Sequence, residues 1–164
     1  MCTGVRFADA AGNLYFGRNL DWCESYGEGV VITPRGASIP TQFLGSLSPE
    51  HACVGMGIVV GGVPCYFDCA NEAGLAIAGL NFPGYAQFAE APEKGAVNVA
   101  AYEFPLWVAA SFSTVAEVRK ALKDVVIVAK APSEGYGVAQ LHWLVGDGKE
   151  SIVIECQADG MHVY

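Results

Sequence analysis

Two long apolar runs studded with glycine constrain this 164-residue chain more than any other feature. Cys53 to Asp68 reads CVGMGIVVGGVPCYFD and Gly74 to Phe82 reads GLAIAGLNF, with Asn71-Glu-Ala-Gly74 between them. Apolar runs bounded by turn residues predict two antiparallel strands and a turn. Glycine inside a strand marks a place where other backbone or side chains come close, so these strands should lie against another layer. Asn81 falls at the end of the second strand.

The remaining segments divide between strand and helix, which makes the fold class α+β. Cys2 to Phe7 and Leu14 to Asn19 read as strands joined by Ala8-Asp-Ala-Ala-Gly-Asn13. Gly29 to Thr33 is strand-like and ends at Pro34, and the polar stretch to about His51 reads as loop with one short element. Asn98 to Phe112 has a helical composition in which Pro105 marks a kink or a first turn. The next helix starts at Thr114, whose hydroxyl and Glu117 form a capping box, with Val115, Val118, Leu122 and Val125 as its apolar stripe. His142 to Val145 and Ser151 to Glu155 form a hairpin, and Met161 to Tyr164 begins a further strand that leaves a sheet edge bare.

Composition removes several function classes. A chain this long is one domain, residues 1–164, and 52% apolar against 16% charged residues implies buried strands. The net charge of −8 offers no basic stripe for nucleic acid or for an anionic membrane surface. The opening MCTGVRFADAAG has no signal-peptide core, and runs such as GMGIVVGGV are too short to span a bilayer, which places the chain in the cytoplasm. There its six cysteines are thiols. His51, Cys53, Cys65 and Cys69 superficially suggest a zinc deaminase, but Cys53 stands where the glutamate is required and three residues separate the last two cysteines. No metal and no cofactor are therefore expected. His142 lies within the apolar strand LHWLV, and no papain-like flank surrounds any cysteine, which argues against a Cys–His protease.

The chemistry concentrates near the N-terminus. Removal of Met1 would leave Cys2 with a thiol and a free α-amine, a nucleophile that carries its own base. Reference pKa values of about 8.5 for the thiol and about 7.7–8.0 for the amine suit proton exchange near neutrality. If the first turn has an odd loop centred on Ala10 or Ala11, Cys2 and Arg18 share one sheet face; an even loop separates them. Arg18 would then favour the thiolate, Asp21 would hold the amine, and the Asn81 amide would serve an oxyanion. The plainer alternatives are an incidental cysteine, a structural Arg18–Asp21 ion pair and a turn-capping Asn81.

The flanks MCTGVRF, YFGRNLDW, SYGEGVVITPR, NEAGLAIAGLNFPGYA and LHWLVGDGKESIVIE resemble the choloylglycine hydrolase family, the bile salt hydrolases and penicillin V acylases of the N-terminal nucleophile superfamily. The resemblance implies an αββα sandwich of antiparallel sheets, incomplete in this chain, and a cysteine amidase that cleaves glycine- or taurine-conjugated bile acids. It implies Cys2, Arg18, Asp21 and Asn81 as catalytic, a homo-oligomer that is tetrameric in the family, and apolar substrate-binding walls for which Leu20, Phe67 and Tyr136 are the candidates. The form GLNFPGYA around Asn81 is closer to the bile salt hydrolases. Family members are about twice as long, so the resemblance covers their N-terminal half and implies a further asparagine and arginine of the site beyond Tyr164. Two alternatives follow: a penicillin V acylase-like or other linear amide hydrolase, and an inactive fragment that needs a complementing C-terminal half.

Overall fold

The computed structural model describes residues 2–164. Its centre is a seven-stranded sheet in the order β13-β12-β11-β8-β7-β6-β3, with every neighbouring pair antiparallel. The strands are β3 (Gly29–Thr33), β6 (Cys53–Val60), β7 (Val63–Asn71), β8 (Ala76–Asn81), β11 (Leu141–Gly146), β12 (Ser151–Gln157) and β13 (Gly160–Val163). Predicted as one strand, the run Cys53 to Asp68 is instead a hairpin. Val60 pairs with Val63 across Gly61 and Gly62, whose φ angles of 59° and 84° are the left-handed values that a two-residue turn requires.

Close approach at Gly55 and Gly57 comes from within the sheet rather than from another layer. A Cβ on Gly55 would lie 2.0 Å from the Asp68 carbonyl oxygen, and one on Gly57 2.5 Å from that of Cys65. These glycines flank a bulge in which Met56 pairs with Asp68 but Gly57 pairs with Tyr66, leaving Phe67 as the extra residue.

Helix α1 (Phe104–Ser111), with Pro105 in its first turn, packs on one face of this sheet and is buried from Phe104 to Ala110. The Phe104 and Trp143 rings lie 4.7 Å apart. Asn71 locks the helix end to the turn before β8: its amide donates to the carbonyls of Ala109 and Phe112, while its oxygen accepts from Ala73 and Leu75. The expected helix from Asn98 begins later, because Val97–Ala100 is strand β9, which pairs in parallel with β10 (Val125–Val128). Val125, read as the last position of the next helical stripe, therefore belongs to β10. That helix, α2 (Val115–Ala121), has the capping box of Thr114 and Glu117 and buries Val115 and Val118. The loop before β6 holds not one short element but a small hairpin, β4 (Ile39–Thr41) with β5 (Gly45–Leu47).

On the opposite face lies a two-stranded sheet of β1 (Thr3–Ala8) and β2 (Leu14–Asn19). A Cβ on Gly4 would meet Leu144 and Leu80, and one on Gly146 would meet Phe16 and Arg6, so glycines here do admit the second layer. The architecture is α+β, with a helical layer, a large sheet and a small sheet in succession.

Candidate active site

The N-terminal hairpin sets the site. Gly4 pairs with Arg18 and Ala8 with Leu14, so the connecting loop is Asp9 to Asn13, five residues centred on Ala11. The odd loop keeps residues of equal parity opposite each other, which gives Cys2 and Arg18 the same face, the one turned toward the large sheet. Asp9 fixes the loop length by accepting from the backbone of Ala11 and Asn13 and from the Asn13 amide. Those bonds, led by the Asn13 side chain, hold its carboxyl below the usual range.

Arg18 bridges the two sheets. Its Nη2 donates to the Gly79 carbonyl at 2.8 Å, its Nη1 lies 3.5 Å from Asp68 Oδ2, and its side chain is only 6% exposed. Nε has no partner among the described residues. Burial pushes the Asp68 carboxyl up, and the Arg18 charge offsets part of that rise. Asp68 escaped the sequence analysis although an acid inside the apolar run PCYFDCA signals a buried partner. Its pairing with Ala78 of β8 puts it on the face that carries Leu80 and the N-terminal hairpin, and pairing register of that kind is not written in any local pattern.

Six of the seven residues nominated from sequence line one cavity of about 500 Å³: Cys2, Arg18, Leu20, Phe67, Asn81 and Tyr136. Asp21 is exposed and is not part of that wall. Met1, whose removal the sequence reading expects, lies outside the described residues. The Asn81 side chain has no hydrogen-bond partner among the described residues, so its amide is free to donate to a ligand. Gly79 contributes open space, since a Cβ there would press to 3.1 Å from Leu141.

Sequence reasoning missed Trp22, Tyr26, Tyr102 and Lys130 of the same wall. Trp22 donates from Nε1 to the Tyr26 hydroxyl at 3.0 Å, and the Tyr26 ring stands 6.1 Å from Phe67 and 6.3 Å from Tyr136. Glu28 shapes this loop by accepting from Ser25 Oγ and the Tyr26 backbone. The wall is thus an aromatic belt across three chain segments, with Cys2, Arg18 and Asn81 as its polar members near the hairpin. Aromatic residues in the flanks LDW and SYG were the available signal; nothing local marks Lys130.

The four buried cysteines are poor nucleophiles by their surroundings. Burial pushes Cys53 and Cys65 up to about 11 and Cys156 up to about 12, and it raises Cys69 as well. Cys2 is only half-buried and opens on the cavity.

A family of linear amide C–N hydrolases, the choloylglycine hydrolases, matches residues 2–164. The chain belongs to the choloylglycine hydrolase family. It is 56% identical over 165 residues to a bile salt hydrolase/transferase of Bifidobacterium longum subsp. longum, covering 100% of this chain and 52% of that one. It is 52% identical to a conjugated bile acid hydrolase of Lactobacillus gasseri, again covering 52% of the relative. Among solved structures, the C2A mutant of conjugated bile acid hydrolase from Clostridium perfringens superposes with a TM-score of 0.95 at 36% identity, over 100% of this chain and 50% of that one. Penicillin V acylase from Agrobacterium tumefaciens, at 19% identity and a TM-score of 0.74 over 49% of its length, shares the fold. That fold is the N-terminal nucleophile hydrolase sandwich expected from sequence. The chain spans about half the length of the curated relatives it matches.

Proposed function

We propose that this chain carries the nucleophile half of a bile salt hydrolase, a cysteine amidase that cleaves the amide joining a bile acid to glycine or taurine. The observation that carries the reading is that Cys2, Arg18 and Asn81 share one cavity whose other walls are Leu20, Trp22, Tyr26, Phe67 and Tyr136. A volume of about 500 Å³ falls in the range of about 300–1,000 Å³ typical of small-molecule sites. An amphipathic acyl group suits the aromatic belt, and the amide carbonyl would then rest beside the thiol.

In this mechanism Met1 is removed, the Cys2 α-amine takes the thiol proton to become the α-ammonium, and the sulfur adds to the amide carbonyl carbon. Asn81 donates to the oxygen as it gains charge. The C–N bond breaks, glycine or taurine leaves with a proton from the Cys2 α-ammonium, and a thioester remains. The α-amine then takes a proton from water, whose oxygen attacks the thioester and releases the bile acid and the free thiol. Asp21 orients the amine. The enzyme works in the cytoplasm as a homo-oligomer.

The deciding assay measures glycine or taurine released from glycocholate and taurocholate against phenoxyacetate released from penicillin V. Cleavage of penicillin V with both conjugates intact would overturn the bile-acid assignment.

A second reading, in which activity requires a complementing C-terminal half, is favoured by one surface. Val30 and Ile32, 72% and 68% exposed, continue with Val54 and Met56 as an apolar stripe across β3 and β6. The stripe lies on the face that β1 and β2 cover only over β8 and β11. Conjugates cleaved only when the continued reading frame is expressed would decide for this reading.

A further inference from the structure

We propose that Lys130 is the residue by which this cavity selects anionic substrates, namely amides whose amine half carries a carboxylate or sulfonate. The inference rests on the bile-acid reading above and goes beyond it by assigning the charge recognition to a residue outside the reaction centre.

The chain has 17 acidic against 9 basic residues and a net charge of −8, so its overall field opposes the approach of an anion. The cavity wall inverts that balance: it contains Arg18 and Lys130 and, among the described residues, no carboxylate. The two cations are not equivalent. Arg18 is already engaged, with Asp68 at 3.5 Å balancing its charge and the Gly79 carbonyl accepting from it. A ligand anion near it meets a matched pair. Lys130 has no ion-pair partner among the described residues.

Its backbone is fixed where it enters the wall. Ala129 donates to the Ala89 carbonyl at 2.8 Å, one residue after Val128 accepts from Ala101, and Pro132 follows as another wall residue. The side chain itself is exposed, so its apolar stem can lie along the wall while the ammonium stays hydrated until an anion arrives. In a glycine or taurine conjugate the only anionic group belongs to the amine half, whereas the acyl half suits the aromatic belt. Lys130 therefore discriminates by the leaving group and leaves the acyl group to Trp22, Tyr26, Phe67 and Tyr136.

The test compares glycocholate with its uncharged methyl ester. Binding is followed by the emission of Trp22, which lines the cavity at 45% exposure while Trp107 and Trp143 are buried. Lys130→Gln should weaken glycocholate about tenfold, the scale of one charge-assisted contact at a solvated site, and leave the ester unchanged. Lys130→Arg should restore glycocholate binding, and added salt should weaken the wild type more than Lys130→Gln. Equal loss for both ligands, or none for glycocholate, overturns the proposal. A wild type that binds neither ligand refutes the bile-acid reading instead. Lys130 is then decided with anilinonaphthalene sulfonate against uncharged N-phenylnaphthylamine: loss confined to the sulfonate upholds its role, and an unchanged sulfonate affinity refutes it.

Discussion

Replacing Arg18 by leucine should make stability depend on pH in a direction set by Asp68. The gross attraction of the pair at 3.5 Å is about 4–5 kcal/mol at an effective dielectric constant of about 20. Much of this is cancelled by desolvation, since burial keeps the Asp68 carboxyl above its ordinary value even with Arg18 beside it. Without Arg18 that carboxyl rises further. Its folded-state pKa then lies above the unfolded one, so the folded chain holds a proton that the unfolded chain has lost. Asp68's contribution to stability is full below the unfolded value of about 3.9 and is lost as pH rises through the folded value.

In mild acid the variant should lose only the hydrogen bond to the Gly79 carbonyl, about 1 kcal/mol, because leucine occupies the apolar part of the arginine site. At about pH 8 an ionised, mostly buried Asp68 adds about 1–3 kcal/mol, discounted for a side chain that is still 28% exposed. Urea unfolding of the wild type and Arg18→Leu at about pH 4.5 and about pH 8 gives both differences. Arg18→Leu combined with Asp68→Asn should remove the pH dependence. A cost equal at both pH values, or larger in acid, would refute the reasoning.

Gly55→Ala should destabilise by about 3 kcal/mol or more, because its Cβ would sit 2.0 Å from the Asp68 carbonyl oxygen and 2.6 Å from Cys69 Cα, neither of which can rotate away. An unchanged urea midpoint would contradict the bulge geometry. Asp147→Ala should cost about 3 kcal/mol in the same measurement, since three backbone donors, Val115, Lys149 and Glu150, lose their acceptor. Burial alone would raise the Asp147 carboxyl, but the bonds from Glu150, Val115 and Lys149, aided by Arg6, hold it below the ordinary range. Its contribution is therefore present above the unfolded value and lost as pH falls through the folded one, and Asp147→Ala should flatten the acid limb of the stability profile. Cys2→Ser should keep the wild-type circular dichroism and lose hydrolysis, and mass spectrometry of active enzyme should find Cys2 as the first residue. Active protein that retains Met1 would rule out the α-amine as base.

Elements with local punctuation were legible in the sequence. Pro34 ends β3 where expected, Thr114 and Glu117 start α2, and the turn Asn71 to Gly74 separates β7 from β8. Elements decided by tertiary pairing were not. Val97–Ala100 reads like the start of a helix, and only its parallel partner Val125–Val128 makes it a strand. The Gly61-Gly62 turn was available as a hairpin signal, but in a run so rich in glycine it was masked by the expectation of close packing.

The same division explains the site. The shared face of Cys2 and Arg18 depends only on loop parity, which a short turn fixes locally, so it was derivable up to one choice of register. Asp68, Lys130 and the aromatic belt depend on the register of β7 against its neighbours and on loops that meet across the sheet end, and no period or spacing encodes either. The placement of Cys2 just ahead of β1 thus comes from local pattern, whereas the cavity on which it opens comes from tertiary structure. Variants of the hairpin loop Asp9 to Asn13 should accordingly act through parity. Inserting one residue there would turn Arg18 away from Asp68 and Gly79, while inserting two would restore its face and with it the ion pair.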